Sequence, residues 1–235
     1  MEVRRFELPV AVTLRLQSRS GAVEVIAEPR EDVEVEGHDV ESLLDAGGST
    51  LRIRAGRGHK KMLVRCPRGT DVVVGTMSGG VRLAGDFGRV SVTTMSGSIE
   101  VDEAEEVDAR CGPGEIRIGR CAGHCRLSTA SGSIEAREVG SCAVQTLSGG
   151  VRIGMVNGKL RARTVSGRIE ATTRGGGPVQ VQSVSGRVRI GLPAGVAVSP
   201  RFKTISGKVR SAFPKGDDIV VEGMTVSGSI ELVPS

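Results

Sequence analysis

Five cysteines and a histidine offer the first chemistry in this sequence. Cys111, Cys121, His124, Cys125 and Cys142 fall within about thirty residues, and the stretch "CAGHC" at 121–125 brings three ligand types together. Zinc takes thiolate and imidazole donors, four in a closed structural site, so Cys121, His124 and Cys125 are weak metal candidates. Cys125 and Cys142 are also seventeen residues apart, which is one period of the repeat described below. That spacing stacks them in one inward column as small apolar thiols, where an occasional disulfide between neighbouring coils is the third reading. The core reading is adopted, and no metal or cofactor is assigned.

Serine is the other candidate for chemistry. Ser78, Ser96, Ser131, Ser148, Ser166, Ser185, Ser206 and Ser227 all sit in the same Ser-Gly phrase. A nucleophile needs one activated hydroxyl beside a positioned base, whereas this chain has eight equivalents and only three histidines. No catalytic residue is assigned, and the chain is not read as an enzyme. A polysaccharide-acting β-helix, lyases included, is the rival from another class. Such sites use a close pair of carboxylates and aromatic surfaces, and the sequence has no Trp or Tyr. The basic loop "RGHKK" at 57–61 reads as a solvated hairpin tip, with nucleic acid or anionic lipid as the alternative contact. Without aromatic stacking platforms, no nucleic-acid partner is expected.

The elements that position these residues are set by a repeat. Including the degenerate copy "CGPGEIRIG" with Pro113 in the Ser place, the marker positions are 78, 96, 113, 131, 148, 166, 185, 206 and 227, separated by 18, 17, 18, 17, 18, 19, 21 and 21 residues. An earlier copy, "SGAVEV", starts at Ser20. Each unit alternates apolar and polar residues on both sides of its Gly, which predicts two short strands and two turns per period. Gly is 34 of the 235 residues, enough to supply such turns, and the absence of Trp and Tyr leaves Val, Ile, Leu and Ala to build a thin core.

A β-solenoid and an antiparallel meander both fit this period. The residue after the Ile/Val of each unit separates them. It reads Arg82, Glu100, Arg117, Glu135, Arg152, Glu170, Arg189, Arg210 and Glu231, so seven of eight neighbouring pairs are opposite in sign. In a solenoid equivalent residues stack about 4.8 Å apart, where like charges repel by roughly 0.8 kcal/mol even in water. In a meander they lie near 10 Å apart, screened by salt. The expected fold is therefore all-β: a single-chain β-solenoid of about 17–21 residues per coil, with an irregular N-terminal β cap. Residues 1–75 are expected to cap the regular Ser-Gly stack of 76–235 as one continuous domain, with a separate small β domain as the alternative. One helical turn, ended by Gly47, is expected within 39–48. Pro234, after the last coil, is expected to blunt the open edge.

The apolar residue before Ser-Gly is Met77, Met95, Ala130, Leu147, Val165, Val184, Ile205 or Val226. Either the bend tucks it inward or an apolar stripe runs down the surface. In the second case Met77, Met95, Leu147, Val165, Val184, Ile205 and Val226 form an interaction stripe. Net charge is +5, a mixed surface with a mild basic tilt. The N-terminus lacks the run of a signal peptide, no stretch reaches the roughly 20 apolar residues of a membrane span, and five cysteines without an export signal fit a reducing cytoplasm. A cytoplasmic location is expected, with a cell-surface one left open.

The run "VRCPRGTDVVVGTMSGGVRL", followed by "TMSGSIEV", "TASGSIEA", "TLSGGVRI" and "TVSGRIEA", resembles a bacterial β-strand-repeat family that carries an adhesin label, DUF4097, related to toast-rack domains. The resemblance covers essentially the whole chain and is strongest from Val64 to Leu232. It implies a single-chain β-helical fold, no enzyme activity and no catalytic residues to carry over. Many relatives also have a signal peptide or membrane anchor. The expected function is a non-enzymatic interaction or scaffold module that binds an unknown protein partner or self-associates. A polymerising, bactofilin-like cytoskeletal scaffold is the alternative.

Overall fold

The computed structural model describes residues 2–7, 12–44, 49–56 and 61–235. Among these residues the chain forms nineteen strands and no helix, and most pairings are parallel and in register. This is a β-solenoid. Period-two alternation is visible in the side chains: Thr13–Ser18, Asp32–Gly37 and Asp71–Ser78 bury every second residue, as a strand with one face on a core must. The chain divides into two compact units, Met1–Arg120 and Cys121–Ser235.

In the N-terminal unit the windings do not stack in chain order. The first winding, Thr13–Ser18 and Ala22–Glu28, lies between two later ones. It pairs with Thr50–Ala55 and Lys61–Pro67 on one side and with Asp71–Ser78 and Val81–Ser96 on the other. The outer side of the 50–67 winding is closed by antiparallel strands. Val40–Leu44 covers Thr50–Ala55, Asp32–Gly37 covers Lys61–Pro67, and Glu2–Glu7 covers Asp32–Gly37. Thus 40–44 is a strand, not a helical turn, because its backbone groups complete the ladder of a neighbouring edge. The rest of that expected turn, 45–48, lies outside the described residues, as does 57–60 of the basic loop.

The C-terminal unit shows the same exchange. Ile134–Val156 pairs with Leu160–Thr173, which pairs with Val179–Ser183 and Arg187–Leu192. The next level is not Val198–Thr204 and Lys208–Ser211 but the last winding, Ile219–Thr225 and Ser229–Pro234, and the 198–211 winding lies beyond it. Burial explains the order. The inserted winding brings Ile219, Val221, Ile230 and Leu232, all buried. The 198–211 winding buries Val198 opposite Ile219 but offers Ser211 opposite Leu232 and leaves Val209 and Phe202 only half-buried. Burying a Val, Leu or Ile is worth about 1.5–3 kcal/mol, so the more apolar winding takes the inner place.

The exchange corrects two expectations. Pro234 sits on an inner winding, beside Leu192, and blunts no edge. Pro200 takes that role on the outer winding. Val198 donates to Pro214 O and accepts from Gly216 N, on the side away from Ile219–Thr225. Two residues on, by strand parity, Pro200 places its donorless nitrogen on the same open side.

The inward columns follow the period-two alternation. Val151, Ile169, Val188, Ile230 and Val209 stack in register. Leu160 stacks on Cys142 and Val179. Val144 stacks on Ala162. The largest fully buried side chain among the described residues is Phe87.

Candidate docking corner and charged columns

The Ser-Gly phrase makes one corner of each coil. Upstream of it is a buried Thr whose hydroxyl donates to the carbonyl of the Ser two residues on: Thr76 to Ser78 O, 3.3 Å; Thr94 to Ser96 O, 3.1 Å; Thr146 to Ser148 O, 3.3 Å. In later coils the hydroxyl accepts instead, from Gly186 N at Ser183 Oγ, 2.8 Å, and from Gly228 N at Thr225 Oγ1, 2.9 Å. Either way the bent backbone is satisfied locally.

The corner Ser joins one coil to the next. Ser78 Oγ donates to Arg19 O, Ser96 Oγ to Met77 O, and Ser206 Oγ to Val226 O, at 3.2–3.4 Å. These hydroxyls are committed to neighbouring carbonyls, whereas Ser148, Ser166 and Ser185 make no such side-chain bond among the described residues. The Gly after each Ser is required by the stacking. Gly97 has φ 139°, and a Cβ there would collide with the carbonyl of Gly79.

The residue before each Ser points outward. Leu147 is 55% exposed, Val165 45%, Val184 46%, Val226 41% and Ile205 82%. Strict alternation therefore holds through the bend, because the residue just before each of Leu147, Val165, Val184 and Val226 (Thr146, Thr164, Ser183 or Thr225) is buried. The corners follow one another in space as 148, 166, 185, 227 and 206: Ser148 is level with Ser166, Ser185 N donates to Val165 O, Ser227 N to Val184 O and Ser206 N to Val226 O. Leu147, Val165, Val184, Val226 and Ile205 thus form an unbroken apolar ridge of about 19 Å, at about 4.8 Å per coil. In the N-terminal unit the corresponding residues are Arg19, Met77 and Met95, and both Met side chains are exposed.

The charge column is a real stack. Arg82 lies level with Glu24 and with Glu100, its Nη1 3.6 Å from Glu100 Oε2. Arg152 and Glu170 approach to 3.6 Å. Beyond them the exchanged order gives Glu170, Arg189, Glu231, Arg210. The one like-signed pair in the sequence, Arg189 and Arg210, is separated by Glu231, so alternation in this unit is complete. Arg117 instead pairs with Glu115, two residues away, at 2.7 Å.

The thiols are interior groups. All five are free and buried. His124 is exposed while Cys121 and Cys125 are buried, since the neighbours of an inward residue face out. Among the described residues no group of three or more His, Cys, Asp or Glu side chains is arranged to hold a metal. Hydrogen bonding with the Cys121 and Cys142 thiols, and burial, push the Cys125 thiol far up. Burial raises Cys66 to about 11 and also raises Cys111. A protonated thiol is a poor nucleophile and metal ligand.

A denser ionic cluster lies near the N-terminal cap. Arg30 bonds Asp32 at 2.8 Å, and Glu34 accepts from Arg5 at 2.9 Å and from Arg65 at 2.8 Å. The Arg30 guanidinium holds Asp32 below the usual carboxylate range, and Arg5, then Arg65, do the same for Glu34. This cluster locks antiparallel cap strands onto the parallel stack, and the alternation reading did not find it, because its partners lie 29 and 31 residues apart.

Stacked windings, one Ser-Gly corner per coil and a family model that matches residues 11–231 decide the kinship. The chain belongs to the Toastrack DUF4097 family. A crystal structure of a "putative adhesin" from Parabacteroides merdae is similar over 99% of this chain and 95% of its own, at 9% identity and TM-score 0.51, a likeness of fold. Two others are a "putative lipid binding protein" from Parabacteroides distasonis, at 12% identity, TM-score 0.48 and coverage of 99% and 96%, and a "putative adhesin" from Bacteroides fragilis, at 11%, 0.33 and coverage of 99% and 96%. No curated protein matches the chain. No helix among the described residues of this Toastrack chain is long and apolar enough to cross a membrane.

Proposed function

We propose that this Toastrack chain is a non-enzymatic, adhesin-like interaction module that docks through its Ser-Gly corners, on a protein partner or a second copy of itself. The observation that carries the reading is the ridge of the C-terminal unit, five aliphatic side chains exposed on five successive coils. Aliphatic side chains left in water at every level, beside a core that buries their neighbours, gain only when another surface covers them. The family and its adhesin-labelled fold relative support a module without catalysis. Residues 1–75 are read as the cap of the 76–235 repeats, and the location as cytoplasmic.

End-to-end polymerisation is the weaker form of self-association, because Pro200 and the exposed Arg201, Lys203, Lys208 and Arg210 guard the open edge of the 198–211 winding, as edge strands that avoid pairing do. The test is Leu147→Asp with Val165→Asp. Light scattering across protein concentrations, together with a partner-capture assay, is expected to show association lost while the melting temperature stays within a few degrees. A variant that fails to fold would assign both residues to the core and end the reading. A parent that stays monomeric at every concentration selects the separate partner over the second copy.

A further inference from the structure

Basic residues are distributed unevenly between the two units. Residues 121–235 contain 15 Lys and Arg against 7 Asp and Glu, a net of +8, while residues 1–120 contain 17 against 20, a net of −3. In the C-terminal unit Lys and Arg line both legs of the coil, and the leg that follows the corner carries Arg168, Arg187, Arg189, Lys208 and Arg210. Two shallow cavities of about 600 and 390 Å³ share Arg168, Glu170 and Arg187 there, and together form one trough along the stack.

Its floor is two outward columns, two residues apart along each strand and so about 6.6 Å from one another. The first reads Arg168, Arg187, Ser229, Lys208 in space, and the second Glu170, Arg189, Glu231, Arg210. Arg168 and Arg187 stack directly, the one adjoining like-signed pair in the two columns. None of Arg168, Arg187, Arg189, Lys208 and Arg210 makes a side-chain hydrogen bond or ion pair among the described residues. On the opposite leg Arg163 and Lys203 likewise make no such bond among the described residues, while the other basic groups are tied down. There Arg161 donates to Gln180 Oε1 at 2.8 and 3.0 Å, Gln180 donates to Glu222 at 2.9 Å, and Arg201 lies 3.6 Å from Glu222.

We infer that this trough binds an acidic polysaccharide, a chain of sugars bearing carboxylates, laid along the stack across successive coils. Guanidinium groups pair with carboxylates through two parallel N–H···O bonds, and unpaired Arg side chains recur at the spacing of the coils. Glu170, Glu231 and Ser229 set the class of ligand. Carboxylates within a basic trough repel a densely charged phosphate chain, but they accept hydrogen bonds from sugar hydroxyls. The trough lies beside the apolar ridge without using it.

The test titrates the full chain with oligogalacturonate, with neutral dextran and with polyphosphate of matched charge, by calorimetry at low and high salt. Oligogalacturonate is expected to bind about tenfold or more tighter than polyphosphate, to weaken as salt screens the pairs, and to leave dextran unbound. Arg187→Gln with Lys208→Gln, both exposed and so neutral for folding, is expected to weaken it about tenfold. Glu170→Gln with Glu231→Gln should weaken the glycan and strengthen polyphosphate. The ridge variant Leu147→Asp with Val165→Asp should bind the glycan like the parent, so loss of docking through the ridge leaves this result standing. Absence of glycan binding at low salt, equal binding of polyphosphate, or an unchanged Arg187→Gln/Lys208→Gln variant would each overturn the inference.

Discussion

The same corner appears in both units with different surroundings. In the N-terminal unit Met77 and Met95 are flanked two residues upstream by Gly75 and Thr93, and three residues downstream by Gly80 and Ser98. In the C-terminal unit the upstream flank is Gln145, Arg163, Gln182, Met224 and Lys203, and the downstream flank is Gly150, Arg168, Arg187, Ser229 and Lys208. The backbone solution is shared: a Thr or Ser hydroxyl turned in at most corners, and a Gly where a side chain would collide. Inward residues and the corner specify a coil, and the outward residues of each level are free to vary. One unit varied toward a neutral face and a strand-covered end, the other toward a basic face and an open end.

The sharpest way to break the comparison is at the shared corner. Gly97→Val and Gly167→Val would drive a side chain into the neighbouring carbonyl in each unit, and both are expected to abolish native far-ultraviolet circular dichroism at ordinary temperature. Survival of either would mean that its corner tolerates a wider stack. Next in size is the core. Leu160→Ala, between Cys142 and Val179, is expected to cost about 2–5 kcal/mol in urea unfolding. By contrast, Leu147→Ala on the ridge should move stability by no more than about 0.5 kcal/mol. A large loss at Leu147 would erase the distinction between the ridge and the core.

The thiols sharpen the comparison through pH. Cys66 in the N-terminal unit is raised to about 11 from an ordinary 9.0. Above pH 9 the unfolded chain therefore holds fewer protons than the folded one. The contribution is full below pH 9 and lost as pH rises toward 11, with a slope approaching about 1.4 kcal/mol per pH unit. Cys66→Ala should flatten that part of the urea-midpoint profile. At the acid end the sign reverses. Asp32 and Glu34 are lowered from 3.8 and 4.5, so their contribution is present above those values and lost as pH falls through the depressed ones. Arg30→Gln should remove part of that acid dependence. The smallest effect is expected in the charge column. Exchanging Arg82 and Glu100 preserves the alternating pair, at 3.6 Å and largely in water, and should change stability by about 0–1 kcal/mol. Arg82→Glu alone, which stacks like charges against both Glu24 and Glu100, should cost slightly more.

Much of this fold was readable residue by residue. The alternation around each Gly marks strands, the Arg82–Glu100 and Arg152–Glu170 signs mark stacking, and the Cys125–Cys142 spacing marks an inward thiol. The exchange of windings was written more faintly. The last two corner spacings are 21 residues rather than 17–19, and the extra length lets the chain step over a level and return. Ser211 at an inward place and the Arg189–Arg210 clash were the other traces. The outward-facing ridge was undecided, since period two and a tightened bend place Val165 on opposite sides. The Arg30–Asp32–Glu34–Arg65 cluster left almost no local signature.

The sequence alone determined the coil, because whether a side chain faces in or out depends on residues two places apart, and each Ser-Gly bend satisfies its backbone within a few residues. Only the tertiary structure decided which coil lies on which. That order depends on apolar area and charge matched between distant segments, such as Gln180 and Glu222, 42 residues apart, and Leu14 and Val72, 58 apart, and contacts of that range leave no period in the chain.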